Sequence, residues 1–213
     1  MDVTIIVDTN SYALVQYLKD YNNTLIYVHE RLKHPHHLTW IHREHIENFI
    51  NDFDYFMYIE DDIDLPFENF VEYLDNFKYL YPKYVPSFVR IEELDGKQYI
   101  VDMQKQQKII DSEIIRLNGK EFISLERPYH AFWIMPAKEL KGLITKDFIN
   151  YCIDRELAAS YIMRGLQIKP LIMLENNSIS PLCYSYHLPN TYVNIVGNQH
   201  KFGRIEIGDL LIR

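Results

Sequence analysis

The chain has 213 residues, 47% apolar and 24% charged, ordinary values for a globular protein, and this length suits one domain spanning residues 1–213. The formal charge of −8, with Lys and Arg scattered, argues against a protein that grips nucleic acid by neutralising phosphates. It leaves room for one small anionic ligand held by a few cations or a metal. Seven glycines and nine prolines exclude a low-complexity chain. Two cysteines, Cys152 and Cys183, speak against a disulfide framework and for a reducing compartment. The N-terminal MDVTIIVDTN reads as a first strand rather than a signal peptide. No apolar run approaches the ~20 residues that span a bilayer. The expectation is a soluble, cytoplasmic chain without a membrane anchor.

In chain order, VTIIVD (3–8) is a β-rich run, and Asn10-Ser11 offers a cap for a helix to about Lys19. Asn22-Asn23 makes a turn before the strand TLIYVHE. After a His-rich loop, residues 41–51 set Ile41, His45, Ile46, Phe49 and Ile50 along one helical stripe. YFMYI (55–59) is a third strand. Pro66 suits the start of a helix that carries Phe67, Phe70, Val71 and Leu74 inward. VPSFVRIEEL is another strand, and residues 97–127 read as short strands and turns around Asn118-Gly119. AFWIM precedes a helix opened by Pro136 and running to about Ile144. Asp154 to Arg164 is a helix closed by Gly165, followed by the strand IKPLIML. The tail from Asn176 reads as loop-rich.

Strands alternating with helices predict an α/β fold with a mixed, mostly parallel central sheet flanked by helices. Ligands of such sheets bind beyond the carboxyl ends of the strands. Asp8 and the run Glu60-Asp61-Asp62 both stand at such ends. Three adjacent acids closing an apolar strand repel one another unless solvated or met by a cation, and hard divalent ions bridge carboxylates to phosphate oxygens. Side chains alternate along an extended segment, so Glu60 and Asp62 are expected on one side and Asp61 on the other.

An apolar strand ending in this acidic triplet, about sixty residues after a first strand, resembles the GT-A glycosyltransferases. IDRELAASYIMRGLQIKPLI strengthens the resemblance, with Asp154, Leu157 and Gly165 at the family's spacing and Ile168 opening a strand. Ile153 stands where the family often has Glu. The resemblance covers about residues 1–190 and implies a GT-A (nucleotide-diphospho-sugar transferase, Rossmann-like) fold. By it, Asp62 would bind Mn²⁺ (or Mg²⁺), with Glu60 and Asp61 near the ribose and donor sugar. Asp154 would be the general base of an inverting transfer, with Glu156 in reserve. His187 in CYSYHLPN would complete the metal shell, Arg43 would face the nucleotide, and Thr9 and Asn10 would line the uridine side. His130 and Trp133 in YHAFWIM would touch the acceptor sugar. Lys201 and Arg204 would approach the diphosphate. The chain also resembles the N-terminal glycosyltransferase domain of a multidomain protein of large DNA viruses of algae. That implies a UDP-hexose or UDP-deoxyhexose donor (glucose or rhamnose type), a glycan or glycoprotein acceptor and a host-cytosol setting. The ending DLLIR would suit a domain cut from a longer chain.

KHPHHLTWIHREH holds five of the nine histidines, yet it lacks the His-Glu-x-x-His order of a zinc protease, and no cysteine lies nearby. Neither a dinucleotide nor a Walker glycine loop is present. Two alternatives stay open: a nucleotidyltransferase, against which the absence of a Gly-rich loop after the first strand counts, and a non-catalytic sugar-binding module that retains a metal site.

Overall fold

The computed structural model describes residues 2–32, 34, 37–103, 113–125, 131–144, 148, 168–193 and 203–209. Its elements begin with β1 (Ile5–Thr9), α1 (Tyr12–Leu18), β2 (Thr24–Val28), α2 (Leu38–Phe49), β3 (Tyr55–Ile59), β4 (Ile63–Asp64) and α3 (Phe67–Leu80). There follow β5 (Tyr84–Pro86), β6 (Val89–Leu94), β7 (Lys97–Met103), β8 (Ile115–Leu117), β9 (Lys120–Ile123), β10 (Phe132–Pro136) and α4 (Ala137–Lys141). The last strands are β11 (Lys169–Glu175), β12 (Ser178–Ile179), β13 (Tyr184–His187) and β14 (Gly203–Glu206). The chain is thus mixed α/β. It divides into two compact units, Met1–Tyr58 with Trp133–Ala159, and Ile59–Phe132 with Ser160–Arg213. No helix among the described residues is long and apolar enough to cross a membrane.

The first unit opens with a β-α-β turn of chain. β1 and β2 pair in parallel from Ile5–Thr24 to Thr9–Val28. Ser11 caps α1, its Oγ accepting from the Leu14 N–H at 3.4 Å, and so satisfies one of the donors a helix start leaves over. α2 buries Trp40, Ile41, Arg43, His45 and Ile46, close to the stripe expected from spacing, although Phe49 and Ile50 stay outside it. β3 pairs with β10. The helix after β10 is shorter than its apolar pattern suggests, because Gly142 caps it after five residues and glycine is costly to hold in a helix.

The second unit is where the expected mostly parallel sheet gives way. Its two five-stranded sheets run β14-β7-β6-β13-β4 and β12-β11-β9-β8 with β5 beside β11. Among the described strands, only β6/β13 and β5/β11 are parallel there. Three of the antiparallel pairs, β6/β7, β8/β9 and β11/β12, follow from two-residue turns with both residues at positive φ: Asp95-Gly96 (52°, 74°), Asn118-Gly119 (50°, 74°) and Asn176-Asn177 (51°, 61°). That is type I′ geometry, whose twist matches antiparallel strands and which Asn, Asp and Gly tolerate. The tail expected to be loop-rich instead supplies β12, β13 and β14, and β13 sits inside a sheet between β6 and β4.

The core of this unit packs Leu80, Ile91, Ile100, Phe122, Ile123 and Ile172. α3 turns a different face to it than apolar counting predicts. Asn69, Tyr73, Asn76, Phe77 and Leu80 are buried, while Phe67 and Val71 are exposed. The Asn69 amide explains the rotation, since it donates to the carbonyls of Pro181 (3.0 Å) and Tyr184 (2.8 Å). A buried amide so satisfied costs little, and it brings the chain just before β13 against α3.

Candidate functional site

In the second unit, β4 and β13 pair antiparallel with His187 opposite Ile63. That register sets the last acid of the triplet beside the late histidine. His187 Nε2 lies 3.2 Å from Asp62 Oδ2. On the other side of the ring, Nδ1 meets Glu92 Oε1 on β6. Both His187 and Glu92 are buried, at 3% and 1% exposure, whereas the Asp62 side chain is 35% exposed. The second Asp62 oxygen, Oδ1, is buried without a hydrogen-bond partner.

Glu92 is held from several directions. Its carboxylate accepts the backbone N–H groups of Val193 (2.6 Å) and Tyr192 (3.2 Å). Burial pushes its pKa up, but the hydrogen bonds from His187 and from these two amides outweigh burial and leave it below the usual carboxylate value. The Tyr192 ring stacks on His187, 4.8 Å away at 8°, and the Arg90 guanidinium lies 4.9 Å from the far ring's centre. Three further bonds fold residues 188–193 back: the Leu188 N–H to the Asp62 carbonyl at 2.9 Å, the Asn190 N–H to the His187 carbonyl at 3.2 Å, and the Glu93 N–H to Asn190 Oδ1 at 3.0 Å.

The acidic triplet is not extended. Residues 61 and 62 form a turn, closed by the Ile63 N–H to the Glu60 carbonyl at 3.2 Å. The alternation expected of an extended segment therefore does not govern which way its side chains point. Asp61 is exposed and Glu60 half-buried. The Glu60 N–H donates to the carbonyl of Ala131 at 3.0 Å, and Ala131 takes the left-handed region at φ 58°, a cost of roughly 1 kcal/mol for a residue with a Cβ.

The first unit holds its own carboxylate cluster at the carboxyl ends of β1 and β2. Asp8 Oδ1 meets His29 Nε2 at 2.8 Å and His45 Nε2 at 2.9 Å. Tyr27 packs on the His45 ring, 4.3 Å between centres. Thr9 is buried and spends its hydroxyl locally, Oγ1 accepting from the Ser11 N–H at 3.0 Å. Asn10 is exposed at the same corner.

Two sequence expectations do not fit their surroundings. Arg43 is fully buried. Its guanidinium stacks 3.7 Å over Trp40 and 4.8 Å from Phe148, and Nη1 donates to the Phe148 carbonyl at 2.8 Å. It is a core cation of the first unit and does not face a nucleotide, because the helical stripe of α2 turns position 43 inward with Trp40. Trp133 is 3% exposed, with His42 5.6 Å from its ring, so it is a core aromatic and not a surface for a sugar. His130, Asp154, Glu156 and Lys201 lie outside the described residues, as does the side chain of Arg204.

Glu92 and the pairing of Asp8 with two histidines are what sequence reasoning missed. The one signal for Glu92 was VRIEEL, where Arg90 and Glu92 alternate with apolar residues in a strand that buries both. Among the described residues, no set of three or more His, Cys, Asp or Glu side chains is arranged to hold a metal ion by itself. No protein-family model, no curated protein and no solved structure matches the chain.

Proposed function

We propose that the chain is a metal-dependent glycosyltransferase of the GT-A kind, inverting, that moves a hexose or deoxyhexose from a UDP-sugar to a hydroxyl of a glycan or glycoprotein. The observation that carries this reading is the meeting of Asp62 Oδ2 and His187 Nε2 at 3.2 Å with Glu92 behind the ring. Were Nδ1–H to donate to Glu92, Nε2 would present a lone pair to a carboxylate. Two acceptors at this distance need a positive centre between or beside them, either a proton or a divalent ion. The orphaned Asp62 Oδ1 adds an acceptor with no protein donor. Two protein ligands, with phosphate oxygens supplying the others, suit Mn²⁺ or Mg²⁺, and such a donor set does not need a third protein ligand.

Asp62 and His187 would hold the metal, which supplies charge compensation as the diphosphate leaves. Glu60 and Asp61, at the same turn, would contact the ribose and donor sugar. By the resemblance, Asp154 would accept the proton of the attacking acceptor hydroxyl, the helix expected from Asp154 to Arg164 then favouring its charged form through its dipole. The β1-α1-β2-α2-β3 order of the first unit is in keeping with the nucleotide-binding half of a GT-A fold.

The test is titration calorimetry of UDP with and without Mn²⁺ on the wild type, Asp62→Asn and Asp154→Asn. Manganese-dependent binding that disappears in Asp62→Asn is the expected result. Asp154→Asn should keep binding and lose transfer by about 10²–10⁴-fold, the contribution of a positioned base. Binding of UDP that ignores both Mn²⁺ and Asp62 would refute the metal assignment.

A further inference from the structure

Glu92 has no place in the sequence pattern that suggested the metal pair, yet it is a buried carboxylate held from three directions. It takes His187 Nδ1 and two consecutive backbone amides, Tyr192 and Val193. It follows Ile91, whose pairing with Tyr186 is the last of the parallel β6/β13 register, and it pairs with Tyr99 on the other side. β6 is therefore held between two strands, and His187 ends one of them. The amides that pin Glu92 belong to the segment that runs on from His187, and the ring between them, Tyr192, lies flat on the imidazole. A carboxylate that served only to neutralise a buried histidine would need none of this.

We infer that Glu92 is a positioning residue, resting on the metal reading above: it fixes His187 in the Nδ1–H tautomer, aims the Nε2 lone pair at Asp62 and ties residues 188–193 around the ring, so that a divalent cation meets a preformed Asp62–His187 pair. The chemistry is that of a carboxylate behind a ligating imidazole. The carboxylate sets the tautomer and the orientation of the ring. The stacked Tyr192 and the Arg90 guanidinium beyond it block ring rotation, because a turned imidazole would lose both the stack and the Glu92 bond. The cation is the Mn²⁺ or Mg²⁺ of the reading above, and Mn²⁺ is the one whose binding electron paramagnetic resonance reads.

The first measurement needs no variant. In metal-free wild type labelled with ¹⁵N-histidine, above pH 8, the His187 resonances should report a protonated Nδ1 and a bare Nε2. The opposite tautomer would overturn the inference. The second measurement compares Mn²⁺ affinity, read by electron paramagnetic resonance, in the wild type, Glu92→Gln and Glu92→Asp. Glu92→Gln should weaken Mn²⁺ by 10–100-fold, the usual loss for such a partner, with part of the loss recovered in Glu92→Asp and circular dichroism unchanged. Unaltered affinity in Glu92→Gln, with the wild type binding normally, would refute this inference alone. No Mn²⁺ binding in the wild type would refute the metal reading and this inference together.

Discussion

Replacing Arg43 with lysine separates a core role from a ligand-binding one, because the charge is kept while the flat guanidinium is lost. The guanidinium lies 3.7 Å over Trp40 and donates to the Phe148 carbonyl at 2.8 Å, with no exposure to water. A hydrogen bond from a charged donor is worth about 1.5–3 kcal/mol, and a desolvated cation–ring contact about 2 kcal/mol. A lysine ammonium can reach the carbonyl or sit over the ring, but it cannot form the planar stack and the hydrogen bond together. Losing one of the two leaves a cost of about 2–3 kcal/mol. For a chain of this size, that lowers Tm by about 4–12 °C. Differential scanning calorimetry reads the melt, and UDP titration below the transition reads binding. The expected outcome is a lower Tm with UDP affinity unchanged. An unchanged Tm with UDP binding lost would refute the core assignment and return Arg43 to the nucleotide.

Gly119→Ala should cost about 1–2 kcal/mol, the penalty of a Cβ in the left-handed region, since φ is 74° and the added methyl would meet nothing within 4 Å. Urea unfolding checks it, and a loss below a few tenths of a kcal/mol would mean the β8–β9 turn relaxes to another type. Cys183 is buried, and burial pushes its thiol up to about 12. In a Cys152→Ser background it should resist a thiol reagent at pH 8 until the chain unfolds, because the thiolate is the reactive form. Rapid labelling of the native state would contradict the burial.

The first eighty residues were readable because local signals agree there. Ser11, Asn23 and Pro66 mark ends of elements, and the apolar runs between them have one period each. The resemblance implies a shared place for Asp62 and His187, but the register that brings them side by side, β4 on β13, joins distant parts of the chain and no local pattern encodes it. The sheets are less parallel than strand–helix alternation predicts, because Asp95-Gly96 and Asn176-Asn177 are hairpin turns that close β6/β7 and β11/β12 antiparallel. The inward face of α3 was misplaced for a related reason: counting apolar side chains cannot see that Asn69 has two carbonyls waiting for it. Thr9 and Arg43 look equally polar in the sequence. Their use, one as a local cap and the other as a stacked core cation, depends on partners two and 105 residues away.

The pairing of β3 with β10 carries a consequence for how the chain is made. Tyr55–Ile59 leaves the ribosome some seventy residues before Phe132–Pro136, and in that interval its edge has no partner from β10. The intervening stretch can close its own hairpins within microseconds, long before a ribosome adding ~5–20 residues per second supplies β10. The second unit's turns therefore form early, while the first waits with an apolar YFMYI edge open to misplaced pairing. A nascent chain stalled before residue 132 should recruit chaperones, and one stalled after it should do so less.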